Sequence, residues 1–365
     1  MKMKLKTVLA VCAAIVLAVP AAAAKPRVVT TLFPIYDWTR NIIGERKDAV
    51  ELLPPLNTGV DLHSYQPSVD DILRISTSDL FIYTGGLSDA WVERVLRDAV
   101  NKKLAAVSLI KALGERAREE ETVEGMEAGH HHHGHDEHEK DHDRHEHEKD
   151  HGHHEHEKDH DRHEHEKDHG HHEHEKDHDH HEHDEGPEYD EHVWLSLVNA
   201  RLLCGRIAQA LSEVDPQGAD AYRANAASYC AKLDALDAKY RAGVASAKHT
   251  TLLFADRFPF RYLVDDYGLS YFAAFQGCSA ESEASFKTIL FLADKLDALG
   301  LPCVLTIEGS SKKIAETVVR TAKRGPVPIL TLDSMQSVQA DGIAGGPDYL
   351  AVMERNLTIL QEALK

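Results

Sequence analysis

Histidine is scarce over most of this chain. Of its 27 histidines, 24 lie between His130 and His183, and only His63, His192 and His249 stand elsewhere. Any imidazole site in a folded domain must therefore draw on those three. Cysteine is scarce as well. Of five, Cys12 lies in an apolar leader, which leaves Cys204, Cys230, Cys278 and Cys303, too few in 365 residues for a disulfide-built scaffold. Cys204, Cys230 and Cys303 read most simply as small buried hydrophobes. Basic residues do not dominate: 41 Lys and Arg stand against 61 Asp and Glu, a net charge of −20, which excludes the basic footprint of a nucleic-acid binder. Beyond the N-terminus, no apolar run is long enough to cross a bilayer. Outside residues 130–183 the His-Glu-x-x-His pattern of zinc proteases does not occur; inside them it falls only within the repeats, which lack the apolar face of a helix.

What is present is concentrated in one stretch. The phrase His145-Glu-His-Glu-Lys-Asp-His151 recurs from His154, His163 and His172 with a period of nine, and a fragment of it begins at His138. Residues 130–185 hold 22 acidic and 7 basic side chains and so carry −15 of the net charge, leaving the rest near −5. With almost no apolar residue, the stretch cannot bury enough surface to offset the entropy of ordering. Neutral imidazole is the commonest side-chain ligand for zinc, so the composition reads as a disordered, metal-binding insert. A solvated charged spacer is the plainer alternative.

The first 24 residues read as a secretory signal: Lys2, Lys4 and Lys6, an apolar Val8–Val19 and a small-residue site at Ala22–Ala24. Val11 before Cys12 is a poor match to a lipoprotein cleavage site, so a soluble periplasmic protein is expected rather than a lipid-anchored one. An oxidising compartment permits disulfides, whose pairing the sequence leaves open.

Strand and helix patterns then alternate. Strands are expected at 27–31, 49–53, 80–83 and 105–109, with helices between them. Ser68 is a good N-cap, followed by Asp70 and Asp71 in the first turn. After the insert, helices are expected at 199–211 and 219–244. A second alternating set follows, with strands at 250–255, 269–275, 303–307 and 327–332. The expected fold is α/β: two lobes with parallel sheets, bridged by the long helix, with a ligand site in the cleft between them. Its parts are an N-terminal lobe (25–118, completed by 188–216), an insert (119–187), a linking helix (217–247) and a C-terminal lobe (248–365).

Ligands of open α/β sheets bind beyond the carboxyl ends of the strands. His63 follows the second strand, while Asp256, Glu308 and Asp333 end strands of the second lobe. His249 sits at the wrong end of its strand. Both Asp61-Leu-His-Ser-Tyr65 and Asp190-Glu-His-Val-Trp-Leu195 resemble metal-binding motifs of the solute-binding proteins of bacterial zinc and manganese ABC importers. Tyr222-Arg-Ala-Asn225 and Thr331-Leu-Asp333 also match that pattern, and the insert before the second motif resembles the zinc-uptake branch. The likeness runs from about Pro26 to Lys365. It implies one metal ion between the lobes, for which His63, His192 and Asp333 match its motifs; Asp256 joins the expected ligands on strand-end position alone. One departure stands out: the place where the family usually has His or Glu falls on Arg257, which cannot ligate. Asp256, Cys278 and Glu308 are the candidates for the missing ligand.

The resemblance implies an extracytoplasmic receptor that captures zinc and delivers it to the permease and ATPase of an ABC importer, working as a monomer and not as an enzyme. A manganese or iron receptor is an alternative, as is a periplasmic zinc store. A metallohydrolase would need a general base beside the histidines, and none is evident. The insert is expected to collect zinc near the tight site. As a flexible coil of roughly 70 residues it would reach on the order of 45 Å, with both ends on the first lobe beside His192.

Overall fold

The computed structural model describes residues 24–127, 188–279, 283–346 and 348–365. The signal stretch before residue 24 and the repeats of the histidine insert lie outside the described residues.

The first lobe is a four-stranded sheet of β1 (Arg27–Thr30), β2 (Glu51–Leu52), β3 (Leu80–Tyr83) and β4 (Ala105–Ser108). Every pairing is parallel, in the order β2-β1-β3-β4. Strand β3 is buried along its whole length, as a parallel strand covered on both faces must be. Helices α1 (Phe33–Ile43), α2 (Val69–Ser76), α3 (Val92–Arg97) and α4 (Leu109–Leu113) follow the strands, and α5 (Leu197–Val214) completes the lobe. Local chemistry sets the helix starts. Pro34 lies in the first turn of α1, where no N–H is needed. At α2, Ser68 and Asp71 form a reciprocal capping box.

Helix α6 (Ala219–Ala245) spans 27 residues, about 40 Å at 1.5 Å per residue. Its buried side chains, Tyr222, Ala226, Tyr229, Leu233, Leu236 and Tyr240, alternate steps of four and three and make one stripe. Both lobes hold this helix. Asn225 donates to the Ile42 carbonyl of the first lobe, and Tyr240 donates to the Met353 carbonyl of the second.

The second lobe repeats the plan. Strands β5 (Thr251–Phe258), β6 (Ser270–Gln276), β7 (Val304–Ile307) and β8 (Ile329–Leu332) pair in parallel in the order β6-β5-β7-β8. Helices α7 (Arg261–Tyr267), α8 (Phe286–Ala298), α9 (Lys313–Thr321), α10 (Ala340–Gly345) and α11 (Tyr349–Ala363) accompany them. Strand β5 runs three residues beyond the expected 250–255. It carries an irregularity: Phe254 pairs with Ala273 but Arg257 with Phe275, so three steps on β5 oppose two on β6.

Residues 119–127, expected to open the disordered insert, form instead an ordered strap before it. Its start pairs with the far side of the insert, with Glu120 N–H donating to Glu188 O and Asp190 N–H to Arg118 O. Its end lies along the second lobe, with Glu127 N–H donating to Ala274 O. Between them, Glu121 accepts from Tyr271 and pairs with Arg261, and Glu124 pairs with Lys295. The expectation that both ends of the insert lie on the first lobe is therefore corrected. The acidic side chains of the strap match basic and hydroxyl groups around β6, and only the return at Glu188 lies beside His192.

Candidate metal centre

His63 sits on a 3₁₀ turn, Leu62–Ser64, in the loop after β2. Asp61 caps this turn by accepting from the His63 backbone N–H at 3.0 Å. The Nδ1 of His63 lies 3.0 Å from Ser88 Oγ and 3.5 Å from Glu191 Oε2. His192 is fully buried, just before the turn Val193–Leu195. Asp190 holds it twice: Oδ1 accepts from its backbone N–H at 2.8 Å and lies 2.9 Å from its Nδ1. A carboxylate only accepts, so the proton of His192 is assigned to Nδ1 and a lone pair to Nε2. This carboxylate–histidine support is what fixes the tautomer and ring plane of metal-ligating histidines.

The two Nε2 atoms face each other at 3.1 Å. Two nitrogens bound tetrahedrally to one zinc at about 2.0–2.1 Å would stand roughly 3.3 Å apart. The pair is therefore spaced as two ligands of one ion. Among the described residues, one further ligand atom joins them. The sulfur of Cys278 and a nitrogen of each histidine all lie within 4.8 Å of one another. Cys278 comes from the second lobe, in the loop after β6. Gly277 makes the approach possible. A Cβ there would stand 2.9 Å from the His192 ring and 2.8 Å from the Phe258 carbonyl oxygen, so no larger residue fits. Behind Cys278, the Glu120 carboxylate of the strap accepts from its thiol and its backbone N–H.

Electrostatics divides the pair. Burial, with the neighbouring His192, pushes His63 down to about 3, so this imidazole is neutral and free to ligate. For His192, burial acts in the same direction, but the Asp190 charge and hydrogen bond outweigh it and raise the pKa. Burial raises Glu191 to about 7. Asp61 is held below its ordinary value; burial opposes this, but the Arg257 guanidinium wins.

The expected carboxylates do not join the group. Asp256, expected at a strand end, lies inside β5, where its oxygens accept from the Arg257 and Ile307 N–H groups. Asp333 does end β8, yet it accepts from the Met335 N–H and lines a separate cavity of about 230 Å³ with Glu308 and Arg355. Glu308 accepts from both the N–H and the hydroxyl of Ser334 and from Gln336 N–H. Arg257 pairs with Asp61 across the lobes at 2.8 Å. His249, at the start of β5, donates its N–H to Leu364 O. All four cysteines of the described residues are free. The residues that sequence reading missed are the supports: Ser88, Glu120, Asp190 and Glu191. Only the acidic pair flanking His192 was visible as a signal.

Residues 28–363 match the family described as zinc-uptake complex component A, periplasmic. The zinc-binding protein AdcA of Streptococcus pyogenes serotype M3 is 29% identical over 92% of this chain, and the chain spans 56% of that relative's length. The high-affinity zinc uptake system protein ZnuA of Bacillus subtilis is 26% identical over 93% of the chain and 88% of its own length. Among solved structures, the Zn(II)-bound ZnuA-like domain of Streptococcus pneumoniae AdcA aligns with a TM-score of 0.62 at 25% identity, covering 93% of this chain and 99% of that one. The periplasmic zinc-binding protein TroA of Treponema pallidum shares the fold, with a TM-score of 0.64 at 21% identity over 93% of this chain and 99% of that one. The fold, the facing histidines and a match that runs nearly end to end lead to one conclusion: the chain belongs to the family of periplasmic A components of zinc-uptake complexes.

Proposed function

We propose that this protein is an extracytoplasmic receptor that captures zinc and delivers it to the membrane permease and ATPase of an ABC importer. The observation that carries this reading is the facing pair of Nε2 atoms on His63 and His192, 3.1 Å apart and each backed by a polar group at Nδ1. Buried imidazoles of this kind suit zinc, whereas manganese prefers oxygen-rich sites, so the ligand chemistry disfavours the manganese alternative. Among the described residues beside the pair, Asp190 and Glu191 both lie on the Nδ1 side of the rings, which supports a site that holds an ion over one that activates a water. The family description places such proteins in the periplasm. A relative from Streptococcus pneumoniae is named a lipoprotein. For this chain, Val11 before Cys12 favours a soluble periplasmic form over a lipid-anchored one. No helix of the described residues is long and apolar enough to cross a membrane.

The test is metal content after equilibration against a chelator strong enough to strip weak sites. The intact protein should retain one zinc ion per chain and no manganese. Retention of zinc by both His63→Ala and His192→Ala would defeat the reading.

A further inference from the structure

We propose that Cys278 is the metal ligand contributed by the second lobe, as a thiolate, in place of the ligand that Arg257 has displaced. The proposal rests on the receptor reading above and specifies its third ligand. Four observations carry it. The Cys278 sulfur lies within 4.8 Å of a ring nitrogen of each histidine, and among the described residues no carboxylate joins that group. Gly277 is placed where any side chain would strike His192 or the Phe258 carbonyl, so the backbone that presents Cys278 is packed directly against a ligand. The loop after β6 is the counterpart of the loop after β2. Each follows the strand next to the first strand of its lobe, on the outer edge of a sheet of identical order. His63 and Cys278 thus occupy corresponding places. Finally, the carboxylates that could compete, on Asp256, Glu308 and Asp333, already accept from backbone N–H groups.

The chemistry is balanced. Zinc accepts an electron pair from each of two neutral imidazoles and from one thiolate at about 2.3 Å. The thiol proton leaves to solvent on binding, because only the thiolate ligates. Two imidazoles and a thiolate favour zinc over manganese more strongly than imidazoles with carboxylates would. The same set also joins the lobes through the ion, since both histidines belong to the first lobe and the cysteine to the second.

Cobalt(II) tests this on the full-length protein. Thiolate ligation produces a near-ultraviolet charge-transfer band that nitrogen and oxygen ligands do not give. The histidine insert contains no cysteine, so cobalt bound there cannot contribute to the band. The expected result is one intense band at one cobalt per chain, lost in Cys278→Ser while visible ligand-field absorption from the two histidines persists. A second measurement needs no variant: zinc should protect Cys278 of the intact protein from alkylation, read by peptide mass spectrometry. Tight cobalt and zinc binding without the band and without protection would overturn the cysteine assignment and leave the receptor reading standing. A band that survives in Cys278→Ser would also overturn it. Failure to bind either metal tightly would instead overturn the receptor reading.

Discussion

The two lobes are built alike and used differently. Each is a four-stranded parallel sheet of the same order, with loops at the carboxyl ends of its strands facing the cleft. In the first lobe the loop after β2 and the turn before α5 aim two imidazoles at one point and support each from behind with Ser88, Asp190 and Glu191. In the second lobe the carboxylates expected as ligands turn back on their own backbone. Asp256 caps Ile307, Glu308 organises residues 334–336 and Asp333 holds Met335. A strand-end position is thus not sufficient for a ligand, and His192, which stands before the turn Val193–Leu195, shows that it is not required either. What decides is where the lone pairs go. A carboxylate oxygen that already satisfies a backbone N–H keeps a loop in shape, and recruiting it to a metal would leave that donor unpaired at a cost of about 1–3 kcal/mol.

Removing the first lobe's contribution should break the site most severely. His192→Ala or His63→Ala should weaken zinc by well over the roughly 100-fold typical of losing a supporting residue, because a ligand itself disappears. The fold should survive, since neither ring fills a core between sheets; far-ultraviolet circular dichroism would check this. Competition against a chelator measures the loss without interference from the insert.

A smaller loss follows from disturbing what aims the ligands. Asp190→Asn keeps the shape and can still accept, but it removes the charge that raises His192. Zinc affinity should fall about 10–100-fold. The pH profile sharpens the comparison between lobes. The raised value of His192 means that a proton occupies it below its ordinary pKa of about 6.5, and this proton must leave before zinc can bind. Cys278 must shed another. Affinity should therefore weaken as pH falls, by about two decades per pH unit below 6.5 in the intact protein and about one in Cys278→Ser. Equal slopes would show that the second lobe contributes no proton-bearing ligand.

The fold and half of the site could be read in advance for identifiable reasons. Period and capping chemistry act locally, so β3, α2 and α6 appeared where Leu80–Tyr83, the Ser68 cap and the tyrosine stripe placed them. His63 and His192 stood out because so few histidines compete with them outside the insert. The second lobe's part was less legible. The irregular step in β5 puts Asp256 inside the strand, and nothing in the sequence reveals where a carboxylate will find an N–H donor. The strap was unreadable for a related reason. Glu121 and Glu124 look like the edge of a charged insert until the partners Arg261 and Lys295 are brought near by folding.

Asp256→Asn and Asp333→Asn should alter zinc affinity by less than about tenfold, which is the 1.4 kcal/mol scale of one ordinary hydrogen bond. Their effect belongs in stability instead, since each carboxylate accepts from a backbone N–H that asparagine can serve less well. Measuring Tm and zinc affinity on the same samples separates the two. A large affinity loss in Asp333→Asn with unchanged Tm would return that residue to the ligand set.

Deleting Gly129–Glu185 should have the smallest effect on the tight site and the clearest effect on its filling. The described residues on either side of the insert are tied to elements that carry the metal centre. Glu127 hydrogen-bonds to Ala274 on β6, the strand whose loop presents Cys278, and Glu188 pairs with Glu120, which touches the Cys278 thiol. The insert carries 24 of the 27 histidines, each able to hold zinc weakly and to release it as pH falls through about 6.5. If the insert collects zinc, as its composition suggests, the tether raises the local ion concentration and speeds capture without adding a contact. Equilibrium affinity at His63 and His192 should therefore be almost unchanged by the deletion. The loading rate at limiting zinc, followed by stopped-flow with a fluorescent zinc indicator as donor, should fall. The difference should vanish when zinc is abundant, because a local excess no longer matters. Equal rates at limiting zinc would assign the insert to storage, and a large fall in equilibrium affinity would mean that its histidines complete the site that the two lobes otherwise form.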